Sequence, residues 1–197
     1  MINIAVFVSG GGSNLQALID AQKNGELGSG QIKLVVSSSA KAYGLQRAKD
    51  ASIDAVFTKD KEEILKLMKD YQIDLIVLAG YLAIVPESII KAYPDRIMNI
   101  HPSLIPSFCG KGFYGLHVHE AAFKRGVKVS GATVHFVSEV VDGGPIIIQE
   151  AIDVSKAESP EEMQQMVLKI EHQILKKAVR TYCDGRLMVN EGRVTIK

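Results

Sequence analysis

Ile2-Asn3-Ile4-Ala5-Val6-Phe7-Val8-Ser9-Gly10-Gly11-Gly12-Ser13-Asn14-Leu15 is the stretch whose reading decides the fold. An apolar run stops at a glycine turn, Leu15, Leu18 and Ile19 then recur at helical spacing, and a second apolar run covers Ile32 to Val36. That is a β-α-β unit, and the alternation continues. Gly44 to Ala51 is helix-like and Asp54 to Phe57 strand-like. Glu62 to Tyr71 is helix-like, with Ile64, Leu65 and Met68 on one face, and Asp74 to Ala79 is again an apolar run. Such a pattern predicts an α/β fold: a mostly parallel twisted sheet with helices on both faces, of the Rossmann-like kind.

Beyond Ala79 the punctuation thickens. Pro86, Pro94, Pro102 and Pro106, with Gly110, Gly112 and Gly115, enclose one short strand, Ile97 to Ile100, and loops of this kind commonly carry function. Val118 to Phe123 suggests a helix, Lys128 to Val137 alternates as a strand does, and Pro145 to Asp153 is strand-like too. Ser159-Pro160-Glu161-Glu162 is a helix start with a capping box. Met163, Met166, Val167, Ile170, Ile174 and Leu175 put one apolar stripe on that helix, which should reach Tyr182 or Asp184. Arg186 to Lys197 reads as a small hairpin. No repeat or linker interrupts the chain, so residues 1–197 are expected to form a single domain.

Composition excludes several classes. The 197 residues are 47% hydrophobic and 23% charged with a formal net charge of +1, which implies neither disorder nor attraction to nucleic acid. Cys109 and Cys183 are far apart and in no metal-ligand spacing, which suits a reducing compartment and gives no zinc site. The apolar start lacks a basic n-region and no window reaches the length of a membrane span, so a cytoplasmic protein acting on small molecules is expected, as monomer or homodimer.

Two places carry chemistry. At Ser9-Gly10-Gly11-Gly12-Ser13-Asn14 the backbone N–H groups and the positive end of the helix dipole can hold a phosphate. The dinucleotide pattern fails because Leu15 occupies the third glycine position, which favours a single phosphate; the bland alternative is a tight strand-to-helix turn. In Ile97-Met98-Asn99-Ile100-His101-Pro102-Ser103, a carboxamide and an imidazole two residues apart point the same way from a strand that Pro102 ends. A carboxamide can donate to a developing oxyanion and an imidazole can trade protons near neutrality. A lone histidine is more often a core residue satisfied by a carbonyl; Asn99 shifts that balance. Asp142, heading Asp142-Gly143-Gly144-Pro145, offers a carboxylate that would stabilise the charged imidazole and raise its pKa. His117 and His119 read as solvated surface residues, His135 as either lining the same cleft or buried, and Glu171-His172 as a polar helix edge. Lys111 could steer an anion but needs no special role.

These segments, with Leu-Ala-Gly-Tyr-Leu at 78 to 82, Asn-Ile-His-Pro-Ser-Leu-Ile-Pro at 99 to 106 and Val-His-Phe-Val at 134 to 137, resemble the folate-dependent formyltransferases over essentially the whole chain. Within them, the chain is most similar to the phosphoribosylglycinamide formyltransferase family of purine synthesis. The resemblance implies direct formyl transfer from 10-formyltetrahydrofolate, a co-substrate, to the amine of glycinamide ribonucleotide, with no metal. It implies Asn99 as oxyanion donor, His101 as proton donor and electrostatic stabiliser, and Asp142 as the group holding His101 in its useful protonation state. It further implies Gly11, Gly12, Ser13 and Asn14 around the phosphate and ribose, with Glu171 at the glycinamide end. The folate would lie against Leu82, Ala83, Ile84 and Val85 and the loop from Val137 through Val140 to Asp142. The phosphate-binding half would be about residues 1–100 and the folate-binding, catalytic half about 99–197. Gly11, Leu82-Ala83 and the stretch Phe108 to Gly115 depart from the pattern of many relatives, so contacts of that last loop do not transfer.

Other activities compete with this reading. A formyltetrahydrofolate hydrolase would put water in the amine's place and usually carries an extra N-terminal domain. Methionyl-tRNA formyltransferase would need a further C-terminal domain and a basic surface. A non-catalytic nucleotide-binding module would use the glycine turn alone and leave Asn99, His101 and Asp142 without a purpose.

Overall fold

Strand β1 (Ile2–Val8) alternates between two cores: Ile4, Val6 and Val8 enter a cluster of 27 buried residues on one face of the sheet, Ala5 and Phe7 a cluster of 12 on the other. Both faces are apolar because helices cover both. In the computed structural model, which describes residues 1–197, seven strands form one sheet ordered β3-β2-β1-β4-β5-β6-β7. Strands β2 (Gly30–Ser37), β3 (Asp54–Phe57), β4 (Leu75–Leu78) and β5 (Ile97–His101) run parallel with β1. The last two, β6 (Val129–Phe136) and β7 (Ile146–Asp153), are antiparallel. The expected α/β architecture therefore holds, with a two-strand antiparallel flank.

Helices α1 (Ser13–Lys23), α2 (Tyr43–Asp50) and α6 (Pro160–Cys183) feed the larger cluster through Leu15, Leu18, Ala48, Val167, Ile174 and Leu175. Helix α3 (Lys61–Asp70) and α4 (Glu87–Ala92) cover the other face through Ile64, Met68 and Ile89. The short α4 lies in a region read from its prolines as loop. Pro86 and Pro94 bracket it: Pro86 serves as N-cap, and six residues are too few to show a periodicity. Helix α6 starts as its capping box dictates, with Ser159 Oγ accepting the Glu162 N–H at 3.1 Å. The remaining elements are α5 (Leu116–Arg125) and the hairpin β8 (Leu187–Asn190) to β9 (Arg193–Ile196). No helix is long and apolar enough to cross a membrane.

The order 3-2-1-4-5 reverses direction between β1 and β4, and the carboxyl ends of strands at such a reversal border a crevice suited to ligands. The glycine turn leaves β1 there, the Gly80 turn leaves β4, and Ser9 N–H donates to the Gly80 carbonyl at 3.0 Å. Strand β5 is next in line. Met98 and Ile100 bury in the larger cluster, which leaves Asn99 and His101 on the opposite face at the strand's end.

Candidate active site

Gly12 sits in the left-handed region at φ 71° and is the N-cap of α1, where it makes no side-chain cap bond. A Cβ there would lie 2.9 Å from Gly44 Cα, so glycine is required twice over. Without a side-chain cap, the first N–H groups of α1 remain open to an anion. Arg47 braces the turn from outside: its Nε donates to the Gly11 carbonyl at 2.7 Å and its Nη1 to Gln16 Oε1 at 3.0 Å. Ser9 Oγ accepts the Leu82 N–H at 2.7 Å, tying the turn to the 82–85 segment. Sequence reasoning missed Arg47, because nothing in its own helix distinguishes it from a surface cation.

The polar residues of β5 and β6 meet by register. Asn99 pairs with His135 and His101 with Thr133, so all four share one face. His135 Nε2 lies 3.1 Å from Asn99 Nδ2, and the Asp142 carboxylate spans both imidazoles, Oδ2 at 3.7 Å from His101 Nδ1 and Oδ1 at 3.7 Å from His135 Nε2. Asn99, His101 and Asp142 thus come together as the resemblance implied. His135 joins them in the cleft and is also buried, so both of its readings apply. Thr133 holds the chain just after His101: its hydroxyl donates to the Ser103 carbonyl at 2.7 Å and accepts from the Ile105 N–H at 3.2 Å and Gln149 Nε2 at 2.9 Å.

The loop after Pro106 closes over this cluster. The Phe108 carbonyl accepts from His101 Nε2 at 3.0 Å, and the Gly110 N–H donates to Asp142 Oδ2 at 2.8 Å. The side chains of His101 and Asp142 are consequently only 5% and 10% exposed. That burial decides the titration of His101. Burial pushes the imidazole below its ordinary value, against the opposing pulls of Asp142 and the Phe108 carbonyl. Asp142 does favour the charged ring, as expected of a neighbouring carboxylate, but desolvation outweighs it and the net direction is a fall. Burial also pushes the Asp142 carboxyl up, yet its neighbours, the Gly110 N–H bonded to it among them, together hold it below the usual carboxylate range. The carboxylate is thus ionised beside a neutral ring.

Two further expectations need correction. His119 is buried beside His101 rather than solvated; burial and that neighbour push it down to about 4, and its Nδ1 has no partner. It faces inward because α5 starts at Leu116, which turns Val118, His119 and Ala122 toward the interior. His117, exposed and 3.0 Å from Glu120 Oε2, fits the surface reading. Glu171 is no polar edge either. It is 7% exposed, accepts from Asn14 Nδ2 at 2.7 Å, and is pushed up to about 6 by burial, with the Asn14 bond opposing. Asn14 Oδ1 is left buried without a partner and so is an open acceptor next to the glycine turn.

Around the crevice, Leu82, Ile84, Val140 and Val141 are 58%, 83%, 68% and 53% exposed. Val85 and Val137 instead pack into the smaller core cluster, so only their backbone faces a ligand. Lys91 of α4 lies 3.9 Å from Glu139, which brings the 82–92 and 137–142 segments side by side.

An open α/β sheet with an uncapped glycine turn at its reversal point, and a buried imidazole–carboxylate–carboxamide cluster beside it, defines a class: an enzyme for reactions at a carbonyl carbon of an anionic small molecule. Residues 2–179 match the model of the formyl transferase family, and the chain belongs to that family. It is 37% identical over 201 residues to the phosphoribosylglycinamide formyltransferase of Escherichia coli (strain K12), covering 97% of this chain and 92% of that one. To the chloroplastic phosphoribosylglycinamide formyltransferase of Arabidopsis thaliana it is 37% identical over 203 residues, 98% of this chain and 69% of that one. Among solved structures, glycinamide ribonucleotide transformylase 1 from Symbiobacterium toebii superposes with a TM-score of 0.92 at 40% identity, over 100% of this chain and 94% of that one.

Proposed function

We propose that this chain is a phosphoribosylglycinamide formyltransferase: it moves the formyl group of 10-formyltetrahydrofolate to the amine of glycinamide ribonucleotide in purine synthesis. The observation that carries the reading is the meeting of Asn99, His101 and Asp142 at the end of β5, two strands over from β1 and the open N-terminus of α1, in a chain of this family.

Gly11, Gly12, Ser13 and Asn14 take the phosphate and ribose, with backbone N–H groups and the helix dipole facing the anion. The open Oδ1 of Asn14 accepts a ribose hydroxyl, and Glu171 beside it faces the glycinamide end. Leu82, Ala83, Ile84 and Val140 offer the folate an apolar surface, while Val85 and Val137 offer backbone groups. Residues 1–100 then serve mainly the ribonucleotide and residues 99–197 the folate and the chemistry, meeting at β5.

The amine attacks the formyl carbon and the carbonyl oxygen becomes an oxyanion, which takes an N–H from Asn99. His101 is neutral before this step because it is buried. The oxyanion adds negative charge beside a ring that already faces the Asp142 carboxylate and a carbonyl, so the imidazolium becomes favourable only as the reaction proceeds. Interactions that strengthen in the transition state are the ones that accelerate. The proton lost by the amine thus enters His101 at Nδ1, the bare nitrogen facing Asp142, and the hydrogen already on Nε2 is delivered to N10 of the folate as the C–N10 bond breaks, which leaves the ring neutral again. Nε2 must exchange the Phe108 carbonyl for the reacting atoms during this transfer.

The test is to supply 10-formyltetrahydrofolate labelled with carbon-13 in the formyl group. The label should appear as the formamide of the ribonucleotide, and only when the amine is present. Label released as formate at the same rate without amine would replace transfer by hydrolysis.

A further inference from the structure

We propose that His135 is a positioning residue: it fixes the orientation of the Asn99 carboxamide, so that an N–H of Asn99 is available to the oxyanion. This inference rests on the formyl-transfer reading and names what sets the donor in it.

His135 stands opposite Asn99 across the β5–β6 pair and is 2% exposed. Its Nδ1 lies 2.8 Å from the Phe136 carbonyl oxygen. A carbonyl can only accept, so Nδ1 carries a hydrogen; Nε2 lies 3.7 Å from Asp142 Oδ1, too far to donate to that carboxylate, and with Nδ1 as the ring's one donor it offers a lone pair. Nε2 in turn lies 3.1 Å from the Asn99 amide group and can only accept from it. The carboxamide must therefore present Nδ2 to His135, and a half-turn that put Oδ1 there would set two lone pairs against each other. With one Nδ2 hydrogen given to His135, the second meets no protein acceptor and is free for a ligand oxygen.

The Phe136 carbonyl that starts this chain is held in place from two sides. The β6–β7 register shifts between Val134 and His135, just before Phe136. The turn after Asp142 then closes on it: Phe136 N–H donates to the Pro145 carbonyl at 2.8 Å, and a Cβ on Gly144 would collide with the Phe136 oxygen. Gly144 is thus required so that the Asp142 turn can seat against the group that sets the His135 tautomer. The same turn delivers the carboxylate to His101, so one loop aligns both the oxyanion donor and the imidazole.

The experiment combines nitrogen-15 NMR of the ligand-free protein with steady-state kinetics of His135→Phe and His135→Gln, each alone and on Asn99→Ala. NMR should find the His135 hydrogen on Nδ1 and Nε2 bare; the reverse overturns the proposal whatever the activity. His135→Phe should lower kcat about 10- to 100-fold with KM for both substrates within about threefold. His135→Gln, whose Oε1 can accept from Asn99, should recover part of that loss. On Asn99→Ala, either substitution should change kcat by less than about threefold, because its target is gone. Full activity in His135→Phe, or losses that multiply on Asn99→Ala, overturns the proposal. Thermal unfolding of each variant identifies a folding defect, and His135→Gln then carries the same comparison. Absence of labelled product from the unmodified enzyme would defeat the formyl-transfer reading itself, while leaving the NMR result to stand alone.

Discussion

The glycine turn takes its geometry from consecutive residues, Gly10 to Asn14, whereas the cluster around His101 takes its geometry from β5, β6, the Phe108–Gly110 loop and the Asp142 turn. The turn stays open, with Gly11 exposed and the first N–H groups of α1 uncapped. The cluster is closed, with His101 and Asp142 almost wholly buried. Binding a doubly charged phosphate requires accessible N–H groups and little else. Proton transfer requires an imidazole whose charge is conditional, and burial supplies that condition at the cost of assembling distant parts of the chain.

The contrast predicts that damage to the two regions separates kinetically. The largest effect belongs to His101→Ala, which should lower kcat by about 10³- to 10⁴-fold while the dissociation constant for glycinamide ribonucleotide, measured by calorimetry, stays within about threefold. A matching loss of binding would show that the regions are not separable. Gly12→Ala should do the reverse. Its left-handed φ and the 2.9 Å approach to Gly44 must distort the turn, so substrate affinity should drop about tenfold or more and stability by roughly 1–2 kcal/mol, with kcat at saturation largely kept.

The smallest effect is one of pH. Burial raises Glu171 from an ordinary value of 4.5 to about 6, so ionising it costs stability that is present at low pH and is lost as pH rises through about 6. Glu171→Gln removes that ionisation. Relative to the unmodified protein, the variant should therefore gain on the order of 1–2 kcal/mol between about pH 4 and pH 8, read as a divergence of Tm values. It should at the same time bind glycinamide ribonucleotide more weakly. Parallel Tm curves would show that Glu171 is solvated.

How much of this was legible in the sequence follows the same division. β1, the glycine turn and α1 could be read off directly, since their signal is local and periodic. Asn99 and His101 were legible as a pair because two residues on one strand share a face whatever the fold. Asp142 was legible as an acid heading a glycine turn, but its approach to His101 was not, as no local pattern states that a turn after β6 returns to β5. His135 stayed undecided for a related reason: its partner Asn99 is set by antiparallel register, which spacing does not encode. His119 and Glu171 were misread because short polar stretches look like surface until the helix phase and its packing partners are known. The effect of Asp142 on His101 was legible but the net direction of its titration was not, because sequence shows the charged neighbour but not the loop that buries both.

The claim at the centre is that His101 and Asp142 act as one unit. It is tested most directly by a cycle of kcat values for His101→Ala, Asp142→Asn and the double variant. If Asp142 works through His101, the double variant should lose no more than about threefold beyond His101→Ala alone. Losses that multiply would mean that the carboxylate acts on the reaction independently of the imidazole, and would contradict a mechanism in which Asp142 serves only to set the charge of His101.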